Sequence, residues 1–536
     1  MIKRFSSALL AITVFALTMS AQVRQLTPDQ KLRMAAALIE NYYVEDVDSK
    51  KMADEAIIAM LKTLDPHSSY TDAEETKELT QPLEGKFSGI GIQFNAATDT
   101  VYVIQTVAGG PSERVGIRPG DRIIAADDSI IAGRKLPNSA ILKILRGPKG
   151  SKVHLKVKRG GSPDLIDFVV VRDDIPIYSV DAAYMANDSV GYIRVSRFAE
   201  ETAAEVARAV EKLQRKGMRR LILDLEDNGG GYLGAAVELA SEFLSKDDPV
   251  VYTKGLHAEP MYFNLDKDGA LRRMPVVVMV NQYSASASEI LSGALQDNDR
   301  APIVGRRTFG KGLVQRPFPF PDGSMIRLTT ARYYTPSGRS IQKHYDKGHG
   351  EEYMLDMLNR YNSGELWSAD SIQRPDSLRF ETLRTHRPVY GGGGIMPDVF
   401  VPADTTFFSP YYRDLVAKGV VNQYCLGYVD RHRAELLKAY PDEDAFIARF
   451  EVTPEMEKEL IEAGERDKIT YNDEQWQRSR PYVLAVLKGL LTRDLYEDGS
   501  YFRAVNPLSP DYREALDLIS DDERYKSILK GTDKRM

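Results

Sequence analysis

The sequence predicts a multidomain α/β protein in which a compact β-rich module precedes an alternating strand–helix core, with helical regions at both ends. Three observations predict it. Residues 84–171 read as short β-type runs, Ile90–Phe94, Val101–Ile104 and Val153–Val157, separated by Gly and Pro clusters. Between Gly191 and Val304 strand and helix periods alternate, as in a parallel sheet covered by helices. The chain has 536 residues, several times the usual single-domain length, and its 43% hydrophobic and 28% charged residues suit a globular protein rather than a membrane bundle.

In chain order, Lys3 and Arg4 form a basic start, Ala8–Met19 a short apolar run, and Ser20 and Ala21 a small-residue cleavage site. The run is shorter than the roughly 20 residues of a spanning helix. A signal peptide over residues 1–21 is expected, with export to the periplasm or cell envelope. No cysteine lies near it, and Cys425 is the only one in the chain, which excludes a lipid anchor and any intramolecular disulfide. The net charge of -6 gives no field that would attract nucleic acid.

Residues 22–83 carry apolar positions at helical spacing, among them Leu32, Ala35, Ala36 and Ile39, and are expected to be a helical region. In the core, Tyr192–Val195, Leu221–Leu225 and Pro275–Val280 read as strands. Val206, Ala209, Val210 and Leu213 mark one helix face, and Leu233, Ala236, Val237, Ala240 and Phe243 a second. In such sheets function collects at the carboxyl ends of the strands, where the loops Glu226–Gly231 and Asn281–Ser288 fall. Residues 403–536 are charged and helical in period, and are expected to form an accessory helical domain.

Ser284-Ala285-Ser286-Ala287-Ser288-Glu289 follows a buried strand and opens a helix. A hydroxyl there is held on a rigid turn beside free N–H groups able to stabilise an oxyanion, although serines at a helix start also serve simply as caps. Thr308-Phe309-Gly310-Lys311-Gly312 places a lysine between glycines, where burial could make it a base for serine. Gly305 to Lys311 also fits part of a phosphate-binding loop, but Gly312 stands where Ser or Thr is needed and no helix follows.

Together these segments, with Leu221-Ile222-Leu223-Asp224-Leu225 and Gly229-Gly230-Gly231, resemble the C-terminal processing peptidases, or tail-specific proteases. The resemblance implies a parallel-sheet core of crotonase-like type over residues 176–402, with Ser286 as nucleophile, Lys311 as general base and Gln315 supporting the lysine. It also implies an oxyanion hole from the backbone N–H groups of Ala287 and Gly230. Gly229 stands where the family has proline, and Glu226-Asp227 replaces a more basic or amide pair, so a more flexible loop is expected. Asp297 matches a frequent family acid and reads equally well as a surface residue at a helix end.

Phe87-Ser88-Gly89-Ile90-Gly91, Gly110-Pro111-Ser112 and Gly116-Ile117-Arg118-Pro119-Gly120-Asp121 resemble a PDZ domain, placed over residues 84–175. Ser88, Gly89, Ile90 and Gly91 would then hold a terminal carboxylate while the adjoining strand edge takes the peptide as an extra strand. Leu64-Asp65-Pro66-His67-Ser68-Ser69-Tyr70 resembles the segment preceding that module, and the similarity extends to Tyr390–Pro397. The expected function is a secreted serine endopeptidase that cleaves near flexible C-terminal tails. Its partners would be proteins with unstructured apolar C-termini, with no nucleic acid, and assembly of identical chains stays open. No metal or cofactor is implied. A PDZ-bearing trypsin-like protease lacks its Gly-Asp-Ser-Gly-Gly loop here, and the alternative from another class is a non-catalytic PDZ scaffold of the cell envelope.

Overall fold

The computed structural model describes residues 26–96, 100–107, 109–160, 162–497 and 499–533. The expected signal peptide lies outside the described residues. Among them no helix is long and apolar enough to cross a membrane. The chain divides into two compact units at Leu64. The first holds the helix Pro28–Tyr42, opened by a capping box between Thr27 and Gln30, and the helix Ser49–Lys62, capped by Asp48.

The second unit begins with the β-rich module. Five strands pair antiparallel in the order Ile92–Asn95, Val101–Thr106, Arg122–Ala126, Lys152–Lys158 and Ile166–Val171. Along Lys152–Lys158 the side chains alternate, with Val153, Leu155 and Val157 buried between exposed Lys152, His154 and Lys156. These pack with Ile141 and Leu145 of the helix Asn138–Leu145 into a separate core. The strands entering and leaving the module, Lys86–Gly89 and Asp173–Pro176, pair with each other, Phe87 opposite Ile175.

A six-stranded sheet forms the centre of the unit, in the order Val180–Met185, Val190–Val195, Arg220–Asp224, Val276–Val280, Ile303–Gly305, Val399–Phe400. The first pair is antiparallel and the others are parallel. Every residue of Val276–Val280 is buried, because the strand is covered on both faces. Val276, Val278 and Val280 meet the helices Thr202–Arg215, Leu233–Ser241 and Ala287–Asp297. Val277 and Met279 meet the helices Pro510–Ser520 and Asp522–Leu529.

The stretch 403–536 therefore divides in two. Helices between Pro410 and Leu495 share a core of their own around Leu415, Val429, Leu460 and Leu487. Helices 510–529 instead form a layer of the central sheet, since Ala515, Leu518 and Ile519 fill its second face. A separate antiparallel sheet joins Ser69–Thr71, Met325–Tyr334, Pro249–Gly255 and Ala258–Asn264, with Leu313–Pro319 also pairing with Met325–Tyr334. The loops after Asp224, Val280 and Gly305 leave neighbouring parallel strands at the same end, which brings the Gly-rich, serine and lysine segments together.

Candidate active site

The three serines of the turn have different surroundings. Ser284 is buried, accepts from the Asn281 N–H at 2.9 Å and donates its hydroxyl to Leu225 O at 2.7 Å. Ser288 is buried and donates to Asn228 O at 2.8 Å. Both tie the turn to the Gly-rich loop. Ser286 is half-buried at the N-cap of Ala287–Asp297, with φ 57° and ψ −111°. That is a left-handed region in which a side chain is strained by about 1–3 kcal/mol, and the surrounding bonds hold it there.

Glu289 supplies most of those bonds. Its buried carboxylate accepts from Ser286 N at 2.8 Å, Lys311 N at 2.9 Å, Gly310 N at 2.7 Å and Thr308 Oγ1 at 2.6 Å. Burial pushes this carboxyl up and the four donors pull against it. Gly310 has φ 90°, which a side chain rarely adopts, and this lets consecutive N–H groups converge on the carboxylate. Tyr333 adds a second tie, its hydroxyl donating to Lys311 O at 2.5 Å and lying 3.2 Å from Ser286 O.

The Lys311 amine donates to Gln315 Oε1 at 2.7 Å, and Gln315 Nε2 donates in turn to His67 O at 2.5 Å. Burial, followed by the nearby Arg327 guanidinium, brings the ammonium down to about 8, while Glu289 and Asp65 act the other way. Among the described residues Lys311 Nζ makes no hydrogen bond to Ser286 Oγ.

The Gly-rich loop is fixed at several points rather than loose. Glu226 N donates to Asp224 Oδ1 at 2.7 Å, Asp227 and Asn281 exchange two hydrogen bonds, and Asn228 Nδ2 donates to Val195 O at 2.8 Å. Side-chain anchors thus replace the stiffness a proline would give. A Cβ at Gly230 would lie 2.8 Å from Ala285 O and from Ser286 Cβ, and its φ is 100°, so only glycine fits this approach to the serine turn. Its N–H donates to Asn228 Oδ1 at 2.9 Å in this structure. Ala287 N–H, at the helix start, has no acceptor among the described residues.

The family model described as Peptidase family S41 matches residues 189–348, and a PDZ domain model matches residues 88–170. A model for the N-terminal domain of the activating protease CtpB matches residues 14–76, and a family of unknown function matches 411–498. The chain is 37% identical over 309 residues to the carboxy-terminal-processing protease of Bartonella bacilliformis, covering 57% of this chain and 70% of that one. The chain belongs to the carboxy-terminal processing proteases. To the family member CtpB of Bacillus subtilis it is 38% identical over 317 residues, which span 58% of this chain and 65% of CtpB, just under two thirds of that relative's length. A solved structure, the photosystem II D1 C-terminal processing protease, aligns with a TM-score of 0.33 at 28% identity, over 59% of this chain and 90% of that one.

In this carboxy-terminal processing protease, the expected PDZ carboxylate loop divides between two elements. Ser88 and Gly89 belong to the entering strand paired with Asp174 and Asp173, and the Ser88 hydroxyl is buried without a partner. Ile90 is buried and Gly91 turns at φ 72° ahead of Ile92–Asn95, so the turn facing that strand edge is Ile90–Gly91. Asp297 is not a surface residue. It is fully buried against Arg339 at 2.7 Å and accepts from Ser337 N at 3.0 Å, so it fixes the segment after Tyr334.

Three participants escaped the sequence reading. Glu289 was visible only as the last residue of a capping-box pattern with Ser286. Asp65 accepts from His67 N, Ser68 N and Ser68 Oγ and from Thr329 Oγ1, which sets the turn presenting His67 O to Gln315. The His67 ring meets Tyr353 OH at 2.8 Å, and burial together with the Lys311 charge pushes the imidazole down to about 4, so it is neutral at pH 7.

Proposed function

We propose that this chain is an exported serine endopeptidase that cleaves proteins near flexible, apolar C-terminal tails, with Ser286 as nucleophile, Lys311 as general base and the PDZ module as tail receptor. The observation that carries the reading is the half-buried Lys311, whose amine donates to Gln315 and whose backbone is tied through Glu289 and Tyr333 to that of Ser286, with desolvation bringing its ammonium down to about 8. A neutral amine can donate one N–H to Gln315 and still offer its lone pair to a hydroxyl. Lys311 takes the Ser286 proton as Oγ attacks the scissile carbonyl, then returns that proton to the leaving amine. Water releases the acyl-enzyme with Lys311 again as base.

Ala287 N–H is the available oxyanion donor, and a turn of the Gly230 N–H away from Asn228 would add a second. The arrangement of parallel strands ending at these loops supports a core of crotonase-like type. Export is inferred from the basic and apolar residues 3–21. The deciding experiment compares an unstructured reporter with free and amidated C-termini, using the mature chain and its Ser286→Ala variant. Cleavage lost in Ser286→Ala and slowed by amidation is expected. Turnover retained by Ser286→Ala would remove the nucleophile, and equal rates on the two reporters would remove tail sensing.

A further inference from the structure

The helices that close the chain reach both arginines gripping the Gly-rich loop. Arg306 lies just past the strand Ile303–Gly305 and is nearly buried. Its guanidinium holds Asp511 through both carboxylate oxygens at 2.9 and 3.0 Å, Gln282 Oε1 at 2.9 Å and Glu226 Oε1 at 3.5 Å. Asp511 sits in the first turn of Pro510–Ser520, Gln282 on the nucleophile loop and Glu226 at the start of the Gly-rich loop. One planar cation therefore joins three segments, a task for which a guanidinium is suited and an ammonium is not.

Arg194 repeats the arrangement on the other side of the loop. It pairs with Asp224 at 2.6 Å, donates to Glu226 O at 2.9 Å and reaches Asp227 Oδ2 at 3.2 Å. Its guanidinium stacks 4.8 Å from the ring centre of Phe502, in the short helix Ser500–Val505 ahead of Pro510–Ser520. Burial and the neighbouring Asp224 and Asp511 push the Glu226 carboxyl up, and the two arginines oppose this. Basic side chains at 226 and 227 would repel these guanidinium groups, and amides could accept their bonds only without the charge that strengthens them.

We propose that Asp511 and Phe502 are positioning residues: through Arg306 and Arg194 they hold the loop Glu226–Gly231 against the nucleophile turn, where it serves the transition state. The C-terminal helices are thus part of the catalytic apparatus without touching substrate. The proposal rests on the peptidase function above. A loop displaced by about 1 Å costs on the order of 100-fold in turnover, whereas substrate affinity, set largely by the PDZ module, is unaffected.

The test is steady-state cleavage of the free-tail reporter by wild type, Asp511→Asn, Asp511→Glu, Glu226→Gln and the double variant Asp511→Asn/Glu226→Gln. Tail-peptide affinity and thermal melting are measured on each. Expected is a kcat loss of about 10- to 100-fold in Asp511→Asn and in Glu226→Gln, with KM and tail affinity within about twofold. Substantial rescue is expected in Asp511→Glu, and a double variant no worse than the worse single, because the residues act as one unit. An active wild type with unchanged kcat in either single variant, or with kcat and tail affinity falling together, overturns the clamp alone. A wild type no more active than Ser286→Ala overturns the peptidase reading and the clamp with it. Should Asp511→Asn fail to fold, Glu226→Gln carries the same test with Asp511 in place.

Discussion

Reporter cleavage should rise about tenfold from pH 7 to pH 9 through the titration of Lys311. Burial first, and Arg327 second, bring its ammonium from 10.5 to about 8. A base of that strength is neutral in about one molecule in ten at pH 7 and about nine in ten at pH 9. The same gap sets about 3 kcal/mol against the charged lysine in the folded chain. Because the folded value lies below the unfolded one, that penalty is fully present below pH 8 and fades as the pH rises towards 10.5.

Two variants separate these causes. Arg327 is half-buried on Met325–Tyr334 and its side chain has no hydrogen bond or ion pair among the described residues, so Arg327→Gln removes a charge without breaking a side-chain bond. Its kcat/KM profile should move to higher pH, with activity at pH 7.5 falling and recovering above pH 9. Lys311→Met should be inactive and should melt at a higher temperature than wild type at pH 7, with the advantage shrinking towards pH 10. The assay is kcat/KM against pH on an unstructured fluorogenic reporter, beside thermal melts of the same samples. A wild-type profile flat between pH 6.5 and 9, or one that Arg327→Gln leaves in place, refutes a lysine base tuned in this way.

Ser284→Ala should lower stability by about 1–3 kcal/mol yet keep measurable turnover, since its buried hydroxyl ties Asn281 to Leu225, and denaturant titration beside kcat measurement checks both. Gly230→Ala should reduce kcat by at least about 100-fold while leaving tail-peptide binding to the PDZ module intact, because the new methyl meets Ala285 O and the Ser286 side chain. Glu289→Gln should cost about 3 kcal/mol in denaturant titration and most of the activity, since an amide NH2 would face donors that now share a carboxylate. Full activity in that variant would show that Glu289 does not hold the serine and lysine segments together.

The local pattern of the chain carried most of the architecture. A continuous apolar run marks Val276–Val280 because a strand covered on both faces has no polar side to show. The 3.6-residue spacing of Val206, Ala209, Val210 and Leu213 marks the buried face of Thr202–Arg215. The alternation along Lys152–Lys158 marks a strand of the β-rich module. Glycines flanking Lys311 and following Asn228 flagged tight backbone, and serine types opening a helix flagged the turn that holds Ser286. Each is a property of neighbouring residues, which is why a single sequence contains it.

Contacts between residues far apart in the chain were a matter for the tertiary structure. Gln315 finds its acceptor in the backbone of His67, 248 positions away, and Arg306 finds Asp511 across 205. Asp297 fits a helix end in the sequence, and only the return of the chain after Tyr334 buries it against Arg339. The engagement of Gly230 N–H by Asn228 depends on a local rotamer set by Val195 O, and the layer formed by 510–529 depends on which face of the sheet other helices have left open. Periodicity records whether a side chain is buried, but carries no address for its partner. Strand order and loop placement supply that address, and with them the low pKa of Lys311, which comes from burial and from charges brought to it by other strands.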